Sequence, residues 1–134
     1  MRSVGTLLAR LVAASAVAAA LSCGGSSSNM SPSGSCTPIS NPATFVIMNK
    51  QVCPQSLTVS RGTQVTFSNQ DSDVHEMDSD PHPEHTDCVE INQVDNLQPG
   101  QSRQTGNLNI ARRCGFHDHS NPDTAALKGA IVIQ

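Results

Sequence analysis

The chain has 134 residues, with eight Lys and Arg against eleven Asp and Glu for a formal net charge of −3, and it has three Phe but no Trp or Tyr. That acidic balance excludes a phosphate-binding surface for nucleic acid, which needs the opposite sign. There is no Gly-rich phosphate loop and no Gly-x-Ser-x-Gly elbow, so nucleotide and hydrolytic chemistry have no footing either.

Arg2 and Arg10 precede an apolar run from Leu11 to Leu21, broken only by Ser15. The run is far shorter than the roughly 20 residues a membrane span needs. A basic start, a short apolar core and the small-residue end Ala20-Leu21-Ser22 predict an export signal over residues 1–22. Cys23, directly after it, resembles the lipobox of bacterial lipoproteins, in which the thiol is acylated and becomes residue one. This resemblance implies lipidation of Cys23 and a lipid anchor at the bacterial cell envelope. Gly24 stands where an aspartate would resemble an inner-membrane retention signal, so the expected location is the outer membrane, facing the periplasm. Loss of Arg2 and Arg10 leaves six basic residues against eleven acidic ones, a formal charge of −5.

Residues 23–42 continue from the cysteine as GGSSSNMSPSGSCTPISNP, with almost nothing apolar to bury, and read as a flexible tether. One small domain, residues 43–134, remains. Without Trp or Tyr its core must rest on Val, Ile, Leu and the three Phe, and domains this small often add disulfides or a metal. Short strand-like segments follow one another: Thr44–Asn49, Ser56–Ser60, Gln64–Asn69, a polar stretch after the Leu97–Gly100 turn that runs to Leu108, then Asn109–Cys114 and Ala130–Gln134. None has helical periodicity, and strands at this spacing predict an all-β sandwich or barrel.

Chemistry concentrates in Cys114-Gly115-Phe116-His117-Asp118-His119. On a tight loop, a thiolate and an imidazole three residues apart can reach one metal ion, and sulfur with nitrogen suits copper or zinc. A zinc ribbon is disfavoured because no second Cys-x-x-Cys or Cys-x-x-His accompanies the first. Eight of the eleven acidic residues fall between Asp71 and Glu90. They read as a solvated loop, or as a patch attracting cations or a basic redox partner.

Three separated blocks resemble the cupredoxins, the plastocyanin and azurin group of blue copper proteins. The first is Val59-x-x-Gly62-x-x-Val65-x-Phe67-x-Asn69-x-Asp71-x-x-x-His75, similar to a strand, turn and first copper histidine. The second is Leu97-x-Pro99-Gly100-x-Ser102, and the third is Cys114-x-x-His117 followed by Leu127-x-Gly129-x-Ile131-x-Ile133. The resemblance covers residues 44–134. It implies a Greek-key β-sandwich binding one copper through His75, Cys114 and His117, and carrying single electrons by Cu(II)/Cu(I) cycling between partner proteins rather than acting as an enzyme.

The chain departs from that pattern. No methionine follows Met77, so an axial thioether after His117 is missing, and Leu127 cannot coordinate. The segment from His117 to Leu127 is longer than the family's ligand loop and contains His119, and Arg112-Arg113 stands where the family has aromatic residues. Asp80-Pro81-His82-Pro83-Glu84-His85-Thr86-Asp87-Cys88 adds two imidazoles and a cysteine in a proline-stiffened segment. Parity raises an alternative: with Cys23 lipidated, Cys36, Cys53, Cys88 and Cys114 make two disulfides, for example Cys36 with Cys53 and Cys88 with Cys114. The metal would then be held by imidazoles drawn from His75, His82, His85, His117 and His119, as in a copper-binding or delivery protein. A small copper oxidoreductase is the lesser alternative, requiring an open coordination position.

Overall fold

The computed structural model describes residues 43–134. The expected export signal, the lipidated Cys23 and the tether with Cys36 lie outside the described residues.

Among the described residues, nine strands form two sheets. They are β1 (Thr44–Met48), β2 (Gln51–Cys53), β3 (Ser56–Val59), β4 (Thr66–Asn69), β5 (His75–Ser79), β6 (Asp95–Leu97), β7 (Ser102–Gln104), β8 (Arg113–Asp118) and β9 (Lys128–Ile133). One sheet has the order β2-β1-β4-β7 and the other β3-β9-β8-β5-β6. The helical turns among the described residues are two three-residue 3-10 turns, Ile91–Gln93 and Ala125–Leu127. The expected all-β sandwich is the observed fold.

Local chemistry sets these elements. Asn49 and Lys50 both adopt left-handed backbone (φ 53° and 57°) and form the two-residue loop that matches the twist of the β1–β2 hairpin. In the Gln98-Pro99-Gly100-Gln101 turn, Gly100 takes φ 78° while the Gln101 N–H donates to the Gln98 carbonyl at 2.9 Å.

The three phenylalanines of the chain meet between the sheets. Phe45 on β1 and Phe67 on β4 pack against Phe116 on β8, with centroid separations of 4.8 to 5.0 Å and edge-to-face or tilted rings. Val52, Val65, Met77, Ile91, Leu97, Leu108, Ile131 and Ile133 belong to the buried cluster around them.

Two expectations about elements are corrected. Asn109–Cys114 is not a strand; β8 begins at Arg113 and runs through the segment expected to be a tight loop. The residues Cys114 to Asp118 are extended because they pair on both sides, Cys114 with Ile131 and His117 with Lys128 on β9, and His117 with Asp78 and Asp118 with Met77 on β5.

Candidate metal centre

The regularity of β8 decides the fate of the Cys-x-x-His pair. Successive side chains of a strand point to opposite faces, so residues three apart project to opposite sides of the sheet. Cys114, Phe116 and Asp118 face the sandwich interior with the phenylalanine triad, while Gly115 and His117 face outward. Cys114 is fully buried and bonded to Cys88, and so has no thiolate to offer. Cys53 is also disulfide-bonded.

His75 lies on the interior-facing side of β5 and is 2 % exposed. Both of its ring nitrogens are already bonded: Nδ1 is 2.7 Å from Asp118 Oδ2, and Nε2 is 3.1 Å from Asp71 Oδ2. Asp118 also accepts from the Ser120 backbone N–H and the Asn121 amide, both at 3.0 Å. Asp71 accepts the Lys50 backbone N–H at 2.8 Å. The trigonal set expected of His75, Cys114 and His117 is therefore not assembled, because the register of β8 sends Cys114 and His117 to opposite faces and carboxylates occupy His75.

The outer face of the same sheet holds a different constellation. His82, His85, His117 and His119 each offer a ring nitrogen, and these atoms all lie within 4.8 Å of one another. His117 is 1 % exposed. Its Nδ1–H donates to Asp80 Oδ1 at 2.7 Å, and its Nε2 is buried without a hydrogen-bond partner. His119 follows β8 and is anchored by its backbone N–H, which donates to the Glu76 carbonyl at 2.7 Å; its Nδ1 lies 3.2 Å from His85 Nε2. His82 reaches the others from solvent, its ring centroid 5.4 Å from that of His117 and 5.0 Å from that of His119.

The segment after β5 is an ordered strap across this face. Its backbone turns on itself, His85 N–H donating to Pro81 O at 2.7 Å and Asp87 N–H to Asp80 O at 2.9 Å. His85 takes left-handed backbone, φ 52°, a conformation uncommon for a residue with a side chain. Asn92 joins the strap to β5, its Oδ1 accepting the Ser79 N–H and its amide donating to His85 O, both at 2.9 Å. The Cys88–Cys114 disulfide and the Glu90–Arg112 ion pair at 2.8 Å hold the far end.

The acidic segment is thus partly spent on positioning rather than left to solvent. Asp80 engages His117, and the largely buried Asp78 carboxylate lies 3.4 Å from His85 Nδ1 and 3.6 Å from His119 Nδ1. Glu76, Asp78 and His119 form a smaller group on the same face. A cavity of about 640 Å³ opens beside the imidazoles, lined among others by His82, His117, Pro122 and Lys128.

Sequence reasoning brought forward His82, His85 and His119 but missed the carboxylates that orient them. The available signal was alternation: Asp78 and Asp80 sit two apart at the end of a strand, immediately before His82. It was hidden because β5 itself was not expected.

A two-sheet frame of this topology defines the class: the chain has the cupredoxin fold. Among solved structures it is similar to a purple cupredoxin from Nitrosopumilus maritimus, at 18 % identity and TM-score 0.52, over 69 % of this chain and 99 % of that one. It also resembles amicyanin from Paracoccus versutus, at 12 % identity and TM-score 0.57, over 72 % and 85 %. Plastocyanin from Dryopteris crassirhizoma aligns at 20 % identity and TM-score 0.53, over 69 % and 100 %. No family model matches the chain, and no curated protein matches it.

Proposed function

We propose that the protein is a copper-binding protein whose metal is held by His82, His85, His117 and His119, serving to capture or deliver copper at the bacterial envelope. The observation that carries this is the Nε2 of His117, buried and unpartnered on a ring that groups with three other imidazoles. A buried acceptor without a donor costs on the order of 1–3 kcal/mol, a cost that a bound cation removes. Imidazole donors suit copper and zinc. Copper is favoured by the fold neighbours, one amicyanin structure being of its Cu(I) form. Copper at such a site supplies a single-electron couple; the chain's residues supply the donors and their orientation. With imidazoles in place of a thiolate, the set favours the cupric ion.

Electron carriage between proteins is the second reading. It is favoured by the sandwich itself and by neighbours such as plastocyanin, one structure of which is of its oxidized form. A redox partner would then dock at the envelope, with the acidic face between Asp71 and Glu90 suited to a basic surface. The lipid anchor at Cys23 and the outer-membrane location belong to this proposal too. Disulfides at Cys53 and at Cys88–Cys114 accord with an exported chain.

The test is a Cu(II) titration followed by visible absorption and electron paramagnetic resonance. The proposed site gives one pale complex with wide copper hyperfine splitting. An intense visible band with narrow splitting, or no stoichiometric binding, overturns it.

A further inference from the structure

We propose that Asp80 and Gly115 are a positioning pair that sets His117 for the metal, an inference resting on the four-imidazole reading above. Asp80 follows β5 directly, and its backbone N–H donates to the Gly115 carbonyl at 3.0 Å, so the two residues face each other across the sheet. From there the Asp80 carboxylate crosses to His117, where Oδ1 accepts the Nδ1–H at 2.7 Å. A carboxylate only accepts, so this bond places the ring proton on Nδ1 and the lone pair on Nε2. That Nε2 is buried without a hydrogen-bond partner, on a ring whose centroid lies 5.2 Å from that of His85 and 5.4 Å from that of His82.

Gly115 makes the crossing sterically open. It lies on the same outer face as His117, and a Cβ there would overlap Asp80 Oδ2 and stand 3.0 Å from Asp80 Cγ. A methyl group at position 115 therefore expels the carboxylate from its place beside the ring. Outer-sphere carboxylates on metal-binding histidines fix the tautomer and raise ligand basicity, and their loss typically lowers metal affinity by about 10–100-fold. Neither residue touches the metal in this arrangement; both act through His117.

The experiment compares the full chain with Asp80→Ala, Asp80→Asn and Gly115→Ala. Two quantities are read: Cu(II) affinity by chelator competition, and the His117 ring tautomer by nitrogen NMR in the metal-free protein. Asp80→Ala is expected to weaken copper by about 10–100-fold and to lose the fixed Nδ1–H form. Asp80→Asn can bond Nδ1 through its oxygen, keeping the Nδ1–H form, or through its amide N–H, moving the proton to Nε2; copper affinity is expected to follow whichever tautomer is observed, which a merely structural role would not produce. Gly115→Ala is expected to copy Asp80→Ala although no carboxylate has been removed.

If Asp80→Ala keeps both the tautomer and wild-type affinity, the positioning pair is wrong. If the unmodified chain binds no copper, the four-imidazole reading fails. The tautomer still decides the pair in that case: loss in Asp80→Ala supports it and retention overturns it. Should Gly115→Ala not fold, the two Asp80 variants carry the test alone.

Discussion

Replacing both Cys88 and Cys114 with Ala separates the two accounts of the copper site and tests what holds the strap. Alanine avoids burying a hydroxyl at either fully buried position. The disulfide joins residues 26 apart in sequence. For a loop of that length the chain-entropy relation gives about 12 cal/mol/K, or about 3.5 kcal/mol at 25 °C. A domain of this size loses about 4–8 °C of melting temperature per kcal/mol, so calorimetry is expected to show a fall of roughly 15–30 °C. The fold survives, because β8 is still paired with β5 and β9, and Asn92 still joins the strap to β5. The copper spectrum is expected to be of the same pale, imidazole type before and after the change. An intense visible band present in the unmodified protein and lost in the variant would refute the reasoning, since it requires a thiolate from a cysteine placed here in a disulfide. A fall in melting temperature under about 5 °C would refute the role assigned to the disulfide.

His75→Gln is expected to leave Cu(II) affinity unchanged, yet to lower stability by about 3 kcal/mol in chemical denaturation, because the buried Asp118 loses its imidazole partner. A large loss of copper with stability intact would return His75 to the metal site. His82→Ala combined with His85→Ala removes two of four donors, so copper binding should fall by more than the 10–100-fold typical of an outer-sphere partner. Metal-free stability should fall by less than in His75→Gln, since neither ring belongs to the core cluster and Asp78 keeps His119 beside it. Cys23→Ser is expected to release the exported chain from membranes in cell fractionation, and a variant still sedimenting with membrane would argue against the lipid anchor.

Much of the frame was legible because burial writes itself into the sequence. Thr44–Met48 and Ser56–Val59 were visible as β-branched, apolar or alternating runs, and Gly62 and Gly100 marked turns that need left-handed backbone. β5 was not visible, because four of its five residues, His75, Glu76, Asp78 and Ser79, are polar and all but Glu76 are nonetheless buried. Their burial comes from tertiary partners, Asp118 for His75 and the strap over Asp78, which no local pattern announces. The Cys-x-x-His pair misled for a related reason. Spacing alone does not say whether the intervening residues form a loop, where the two side chains can converge, or a strand, where they diverge. The alternative offered by cysteine parity pointed toward the observed pairing of Cys88 with Cys114, and the extra imidazoles pointed toward the outer face. The residues that orient them stayed unseen because a carboxylate in a run of acidic residues looks the same whether it faces water or a ring nitrogen.

The four imidazoles come from two stretches of chain, His82 and His85 on the strap and His117 and His119 at the end of β8. An ion shared between them is a reversible cross-link, closing about 32 residues of chain between His85 and His117 alongside the covalent closure at Cys88. At the proposed site, loading would tighten the strap without repacking the interior, since the phenylalanine triad lies on the opposite side of the sheet. Free energy of binding would become free energy of local order, and protection of the Pro81–Cys88 stretch from proteolysis would become a gauge of metal loading.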